Sequence, residues 1–217
     1  MSGEADIPQG EHPSDRTCVV VHWIPLGAGG AAAVRISGRI YEAVRAVIER
    51  RRRGALYHTA LEIHLDGVHF VIENAWPSPD AATASRGVVL EGPVWSRRLC
   101  RFRTFRYEVR CWEDGTIPDV DYATASQTLT DSPAFARGIL EATGSIPRHT
   151  WGRGVARDEE MWTSNSVISY LLTVAGLPAT DYLPPGAGRA PGWEAGIRVG
   201  RHRVPIGSLA GGDGRTT

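Results

Sequence analysis

From Leu56 to Trp76 polar and apolar residues alternate almost without interruption, LYHTALEIHLDGVHFVIENAW, and the pattern folds back on itself at Asp66-Gly67. An Asp-Gly pair is the favoured centre of a two-residue hairpin turn, because both central positions need positive φ. That turn sets Leu65 opposite Val68, His64 opposite His69, Glu62 opposite Val71, Ala60 opposite Glu73 and His58 opposite Ala75. Side chains alternate along a strand and paired residues share a side. One face therefore carries Thr59, Leu61, Ile63, Leu65, Phe70 and Ile72 and must be core. The other carries His58, Glu62, His64, His69 and Glu73 beside Ala60 and Val71.

The same reading places the other elements. TCVVVHWIPL is a buried strand, and SGRIYEAVRAVIERRR is a helix with Ser37 as N-cap and a stripe at Ile40, Val44, Val47 and Ile48. RGVVLEGPV and RLCRFRTFRYEVRCW read as strands, and Phe102, out of phase in the second, points to a bulge. DSPAFARGILEATG is a short helix with Ser132 as cap, Pro133 at its first position and Gly144 at its end. WTSNSVISYLLTVAG is a longer one, from about Ser164 to a stop at Gly176. Strands followed by helices predict an α+β fold, a mainly antiparallel sheet packed with a few helices. Residues 1–16 are expected to be a disordered lead, 17–183 one domain, and 184–217 a Gly/Pro-rich extended arm and tail, with Trp193 and Ile197 docking part of the arm on the body.

Composition narrows the function classes. The chain has 217 residues, 42% hydrophobic and 22% charged, which suits one domain with a sizeable core. Its formal net charge is zero, so no nucleic-acid partner is expected; the local run Arg50 to Arg53 falls in a predicted last helical turn, where the helix dipole favours cations. Three cysteines without a CxxC spacing argue against a disulfide framework or zinc ribbon. GAGG lacks the spacing of a phosphate-binding loop. The polar, acidic opening is unlike a signal peptide, and no apolar run approaches the ~18 residues of a membrane span. A cytoplasmic protein with no membrane partner is expected.

Candidate chemistry gathers at two places. On the polar face of the hairpin Glu73 is the diagonal neighbour of His58, roughly 7 to 8 Å away along the backbone, a gap long side chains close. A carboxylate there can orient an imidazole. Later, Ser164 or Ser166 caps the helix of TSNSVISYLL, and the N-H groups of a helix start also stabilise a nucleophile's or an oxyanion's negative charge. Asn165 is a candidate oxyanion donor, Arg153 a ligand for a substrate carboxylate or phosphate, and Trp76, Trp151 and Trp162 candidate cleft walls or core aromatics. Glu62, His64 and His69 can converge on one ion near the hairpin tip, although histidines beside a turn are usually only exposed; no metal or other cofactor is expected.

The pair LYHTALEI…FVIENA and TSNSVISYLL resembles, in that order, the circularly permuted papain-like hydrolases, especially the PPPDE-type thiol peptidases, with the NlpC-like and lecithin:retinol acyltransferase-like groups as more distant relatives. The resemblance implies that His58, in YHT, is the general base and that the start of the later helix supplies the nucleophile. At that position the family's cysteine is replaced by Ser164. A serine hydroxyl has almost no anionic fraction at neutral pH and depends on a well-placed base. Two outcomes follow. With Glu73 holding His58 and His58 reaching Ser164, the chain is a hydrolase or acyl transferase acting on an amide, ester or thioester of a small molecule or peptide. Without such a carboxylate, it is an inactive relative that binds ligands or proteins.

Overall fold

The computed structural model describes residues 16–28, 54–77, 87–155 and 160–203. The helix expected from Ser37 lies outside them, as do most of the expected N-terminal lead and the end of the C-terminal tail. Asp66 and Gly67 take φ of 52° and 79°, and around this turn β2 (Tyr57–Leu65) and β3 (Val68–Ala75) pair antiparallel, Leu65 with Val68, His64 with His69 and Glu62 with Val71. This ladder runs as far as Leu61 and Ile72. Farther from the turn each strand is held by its outer neighbour. His58 stands opposite Ile24 of β1 (Cys18–Pro25), while Glu73 and Ala75 stand opposite Arg110 and Glu108 of β5 (Arg106–Glu113).

With β4 (Val88–Pro93) and β6 (Ala125–Thr130) the six strands form one antiparallel sheet in the order β4-β5-β3-β2-β1-β6. The fold is α+β, as the pattern indicated. β6 was not foreseen: ASQTLT has no apolar alternation, and its place is set by pairing with β1. Phe102 does not mark a bulge. It separates two 3₁₀ turns, Leu99–Arg101 and Arg103–Phe105, and the irregularity falls instead in β4 between Val88 and Leu90.

The helices occupy one face. Helix α1 (Pro133–Ala142), entered through Ser132 and Pro133, and α2 (Ser164–Val174), followed by Gly176 at φ 87°, pack on Leu61, Ile63 and Ile72. Fully burying such side chains contributes about 1.5–3 kcal/mol each. A third helix, α3 (Trp193–Arg203), packs on α2. Residues 193–203 are thus no extended arm, although Trp193 and Ile197 dock as expected, both buried in the main core. The opposite face is not simply hydrated: Ala60 and Val71 form a second small core with Ile24 and Ile117. The covering segment includes a 3₁₀ turn, Val120–Tyr122.

Candidate active site

The sheet has one end at which β1, β3 and β4 finish and β2 begins. A cavity of about 350 Å³ opens there, within the usual range for small-ligand sites. Because it wraps around the strand ends, it takes residues from both faces of the sheet: His58 from the face away from the helices, and Ser164 from the start of α2. The two remote segments singled out in the sequence therefore meet at one cavity.

His58 is oriented by a carboxylate, but Asp119 is the partner. Its Nε2 lies 2.8 Å from Asp119 Oδ2, in the segment that covers the second core. A carboxylate only accepts, so Nε2 carries a proton, and in the neutral imidazole Nδ1 is then the atom with the lone pair. Glu73, the acid expected to do this, sits beside the pair instead, buried opposite Arg110. Burial drives its carboxyl up to about 7; Arg110 opposes the rise, Asp119 reinforces it, and His58 opposes it. Arg110 in turn donates through Nη2 at 2.7 Å and Nε at 3.1 Å to the buried Glu108. Asp119 escaped sequence reasoning because it lies 61 residues from His58 in a segment without periodicity, and no spacing rule joins them.

At α2 the structure separates capping from chemistry. Thr163 is the N-cap, and its backbone N-H donates to Ser166 Oγ at 2.9 Å, so neither Ser164 nor Ser166 is the capping residue. Ser166 Oγ also donates to Gly192 O at 2.7 Å, Ser169 Oγ to Trp193 O at 2.7 Å, and Thr163 Oγ1 to Pro191 O at 2.7 Å. These hydroxyls tie α2 to the start of α3. Asn165 braces the same junction: Nδ2 donates to Tyr57 O and Pro191 O, both at 3.0 Å, and Oδ1 accepts from Thr59 Oγ1 at 3.0 Å. With both amide hydrogens engaged, its side chain is not an oxyanion donor, although Asn165 lines the cavity. Among the described residues Ser164 Oγ has no hydrogen-bond partner. It is 7% exposed and faces the cavity at the first helical position.

The walls correct two further expectations. Trp162 is fully buried in the core beside His149 and Tyr170 and is not a cleft wall. Arg153 does not line the cavity; its Nε donates at 2.8 Å to the backbone oxygen of Trp95. Trp76, Trp151 and the unforeseen Trp95 do line it, with Leu26, Leu56 and Met161. Trp95 has φ of 58°, an unfavourable backbone for a bulky side chain, and is 62% exposed. Strain of this kind persists only where the surroundings impose it. Here Trp95 N-H donates to Trp151 O at 3.0 Å and its ring packs over Gly152.

Among the described residues no helix is long and apolar enough to cross a membrane. The comparisons with known proteins find no match, whether among protein families, curated proteins or solved structures.

Proposed function

We propose that the chain is a serine-dependent hydrolase or acyl transferase acting on an amide, ester or thioester whose acyl part is apolar. The observation that carries this reading is that Ser164, the polar side chain of the α2 start left without a structural hydrogen bond among the described residues, shares an apolar cavity with the carboxylate-bound His58. The order of a histidine strand before a nucleophile helix supports a relation to the permuted papain-like hydrolases.

In this mechanism His58 Nδ1 removes the proton from Ser164 Oγ as that oxygen attacks the carbonyl carbon. Asp119, accepting from Nε2-H, stabilises the imidazolium that forms. The backbone N-H groups of Ser164 and Asn165, at the first two helical positions, lack intrahelical acceptors and face the developing oxyanion. His58 then returns the proton to the leaving nitrogen, oxygen or sulfur. Water, or a second substrate in a transferase, attacks the acyl-Ser164 ester and restores the enzyme. The tryptophan walls favour an aromatic or aliphatic acyl group, at about 25 cal/mol for each Å² of apolar surface removed from water.

A fluorophosphonate probe tests the reading. Ser164 is expected to become labelled, with labelling abolished in Ser164→Ala and His58→Ala and slowed about 10²-fold or more in Asp119→Asn. A second reading, a binding module without catalysis, is favoured by one observation: no hydrogen bond joins Ser164 to His58 among the described residues. Complete absence of labelling, with apolar carboxylic acids still bound in the cavity, selects it.

A further inference from the structure

The polar face of the hairpin has a second centre at the other end of the sheet. His64 and His69 are directly paired across β2 and β3, and their rings stack with centroids 4.7 Å apart at 22°. Glu62 lies two residues along β2 on the same side, with Oε1 3.8 Å from His69 Nε2. One ligand atom from each of the three falls within 4.8 Å of the other two. Two ligands on a tetrahedral zinc ion, each bonded at about 2.0–2.1 Å, stand about 3.4 Å apart, so side-chain rotations of about 1 Å close the set without backbone movement.

A supporting contact lies behind Glu62. The buried His22 of β1 is held through Nδ1, 2.8 Å from Ser126 Oγ of β6, and brings Nε2 to 3.2 Å from Glu62 Oε2. That Nε2 makes no well-directed hydrogen bond. The contact sets an imidazole nitrogen against one carboxylate oxygen and leaves Oε1 on the side of the histidines; ion binding that aligns it gives the arrangement by which outer partners orient a metal-binding carboxylate. All three candidate ligands are half-buried, so they are partly desolvated yet reachable from solvent.

We infer that Glu62, His64 and His69 form a binding site for a divalent cation of the zinc class, with His22 positioning Glu62 and the fourth coordination position left to water. Six strand residues separate His64 from His58, about 20 Å, so this centre is distinct from the cavity. Its ligands come from both strands, and a bound ion cross-links the hairpin close to its turn.

The test uses the full-length chain, stripped with chelator and titrated with zinc chloride by calorimetry, with cobalt(II) as a spectroscopic substitute. One equivalent is expected to bind, with the visible absorption of four-coordinate cobalt and a rise in the thermal unfolding midpoint. His64→Ala or His69→Ala is expected to weaken this binding at least 100-fold, and His22→Ala about 10-fold through loss of its contact with Glu62. His202→Ala, in an exposed histidine of α3, should leave it unchanged. Absence of saturable binding, or one-to-one binding that survives in the His64→Ala/His69→Ala double variant, overturns the inference. Ser164 labelling by fluorophosphonate in His69→Ala reads the cavity separately, so failure of either centre is seen independently of the other.

Discussion

At the scale of single residues, His58 is the cavity-lining member of a charged group with Asp119, Glu73, Arg110 and Glu108. Burial raises the Glu73 carboxyl to about 7, so this group changes charge near neutrality. An acid whose folded value is raised gives stability that is full below the ordinary carboxylate range and is lost as pH rises through about 7. Each unit of such a shift is worth about 1.4 kcal/mol, so the protein should lose on the order of 2–3 kcal/mol across that window. Glu73→Gln, which cannot ionise, removes the loss. Chemical unfolding at about pH 5 and about pH 8.5 is expected to show similar stability for the two proteins at the lower pH and a more stable variant at the higher. Parallel pH dependence in both would show that Glu73 is not the titrating group. Because Glu73 makes no hydrogen bond to His58, its substitution should also slow Ser164 labelling far less than Asp119→Asn does.

At the scale of elements, α3 shows how a sequence signal can mislead. Gly192, Gly196 and Gly200 lower helix propensity and, with the nearby prolines, read as loop. Gly192, at φ 88°, precedes α3, while Gly196 and Gly200, four residues apart, fall on one side of it and let it approach α2 closely. A Cβ built on Gly196 would lie 2.1 Å from Ser166 O and from Ser169 Oγ, and one on Gly200 would lie 2.8 Å from Thr173 Cβ. Gly196→Ala, though it favours an isolated helix, must therefore push the two helices apart. It is expected to destabilise the protein by about 1–3 kcal/mol, measured by denaturant unfolding; a neutral or stabilising effect would mean that the helices do not touch there. The hairpin and α2, by contrast, were legible because their determinants are local: Asp66-Gly67 fixes a register, and Gly176 ends a continuous apolar run. His58 and Ser164 were legible for the same reason. Asp119, Trp95 and the bracing role of Asn165 depend on contacts with segments distant in sequence, which no spacing along the chain encodes.

At the scale of the molecule, the chain after Gly186 returns to the sheet end where β2 begins and closes part of the cavity. Tyr57 N-H donates to Arg189 O and Arg189 N-H to Ala55 O, both at 2.8 Å, so this stretch runs beside the start of the strand that carries His58. Pro191 lines the cavity, and the Trp193 ring packs tilted at 45° against Trp23, centroids 5.2 Å apart, while donating through Nε1 to Ala179 O at 2.8 Å. A chain ending before Gly188 loses these contacts and the carbonyl partners of Thr163, Asn165, Ser166 and Ser169 together. Each buried donor left without an acceptor costs about 1–3 kcal/mol, and four of them approach the 5–15 kcal/mol that is the whole stability of a typical domain. Such a truncation is expected to yield no cooperatively folded protein and no Ser164 labelling. One ending at Arg203 keeps every contact named here and should retain both. Circular dichroism melts of the two truncations decide the matter: a cooperative transition in the shorter chain would mean that the sheet, α1 and α2 form a self-sufficient core and that the last helix is an accessory to the cavity.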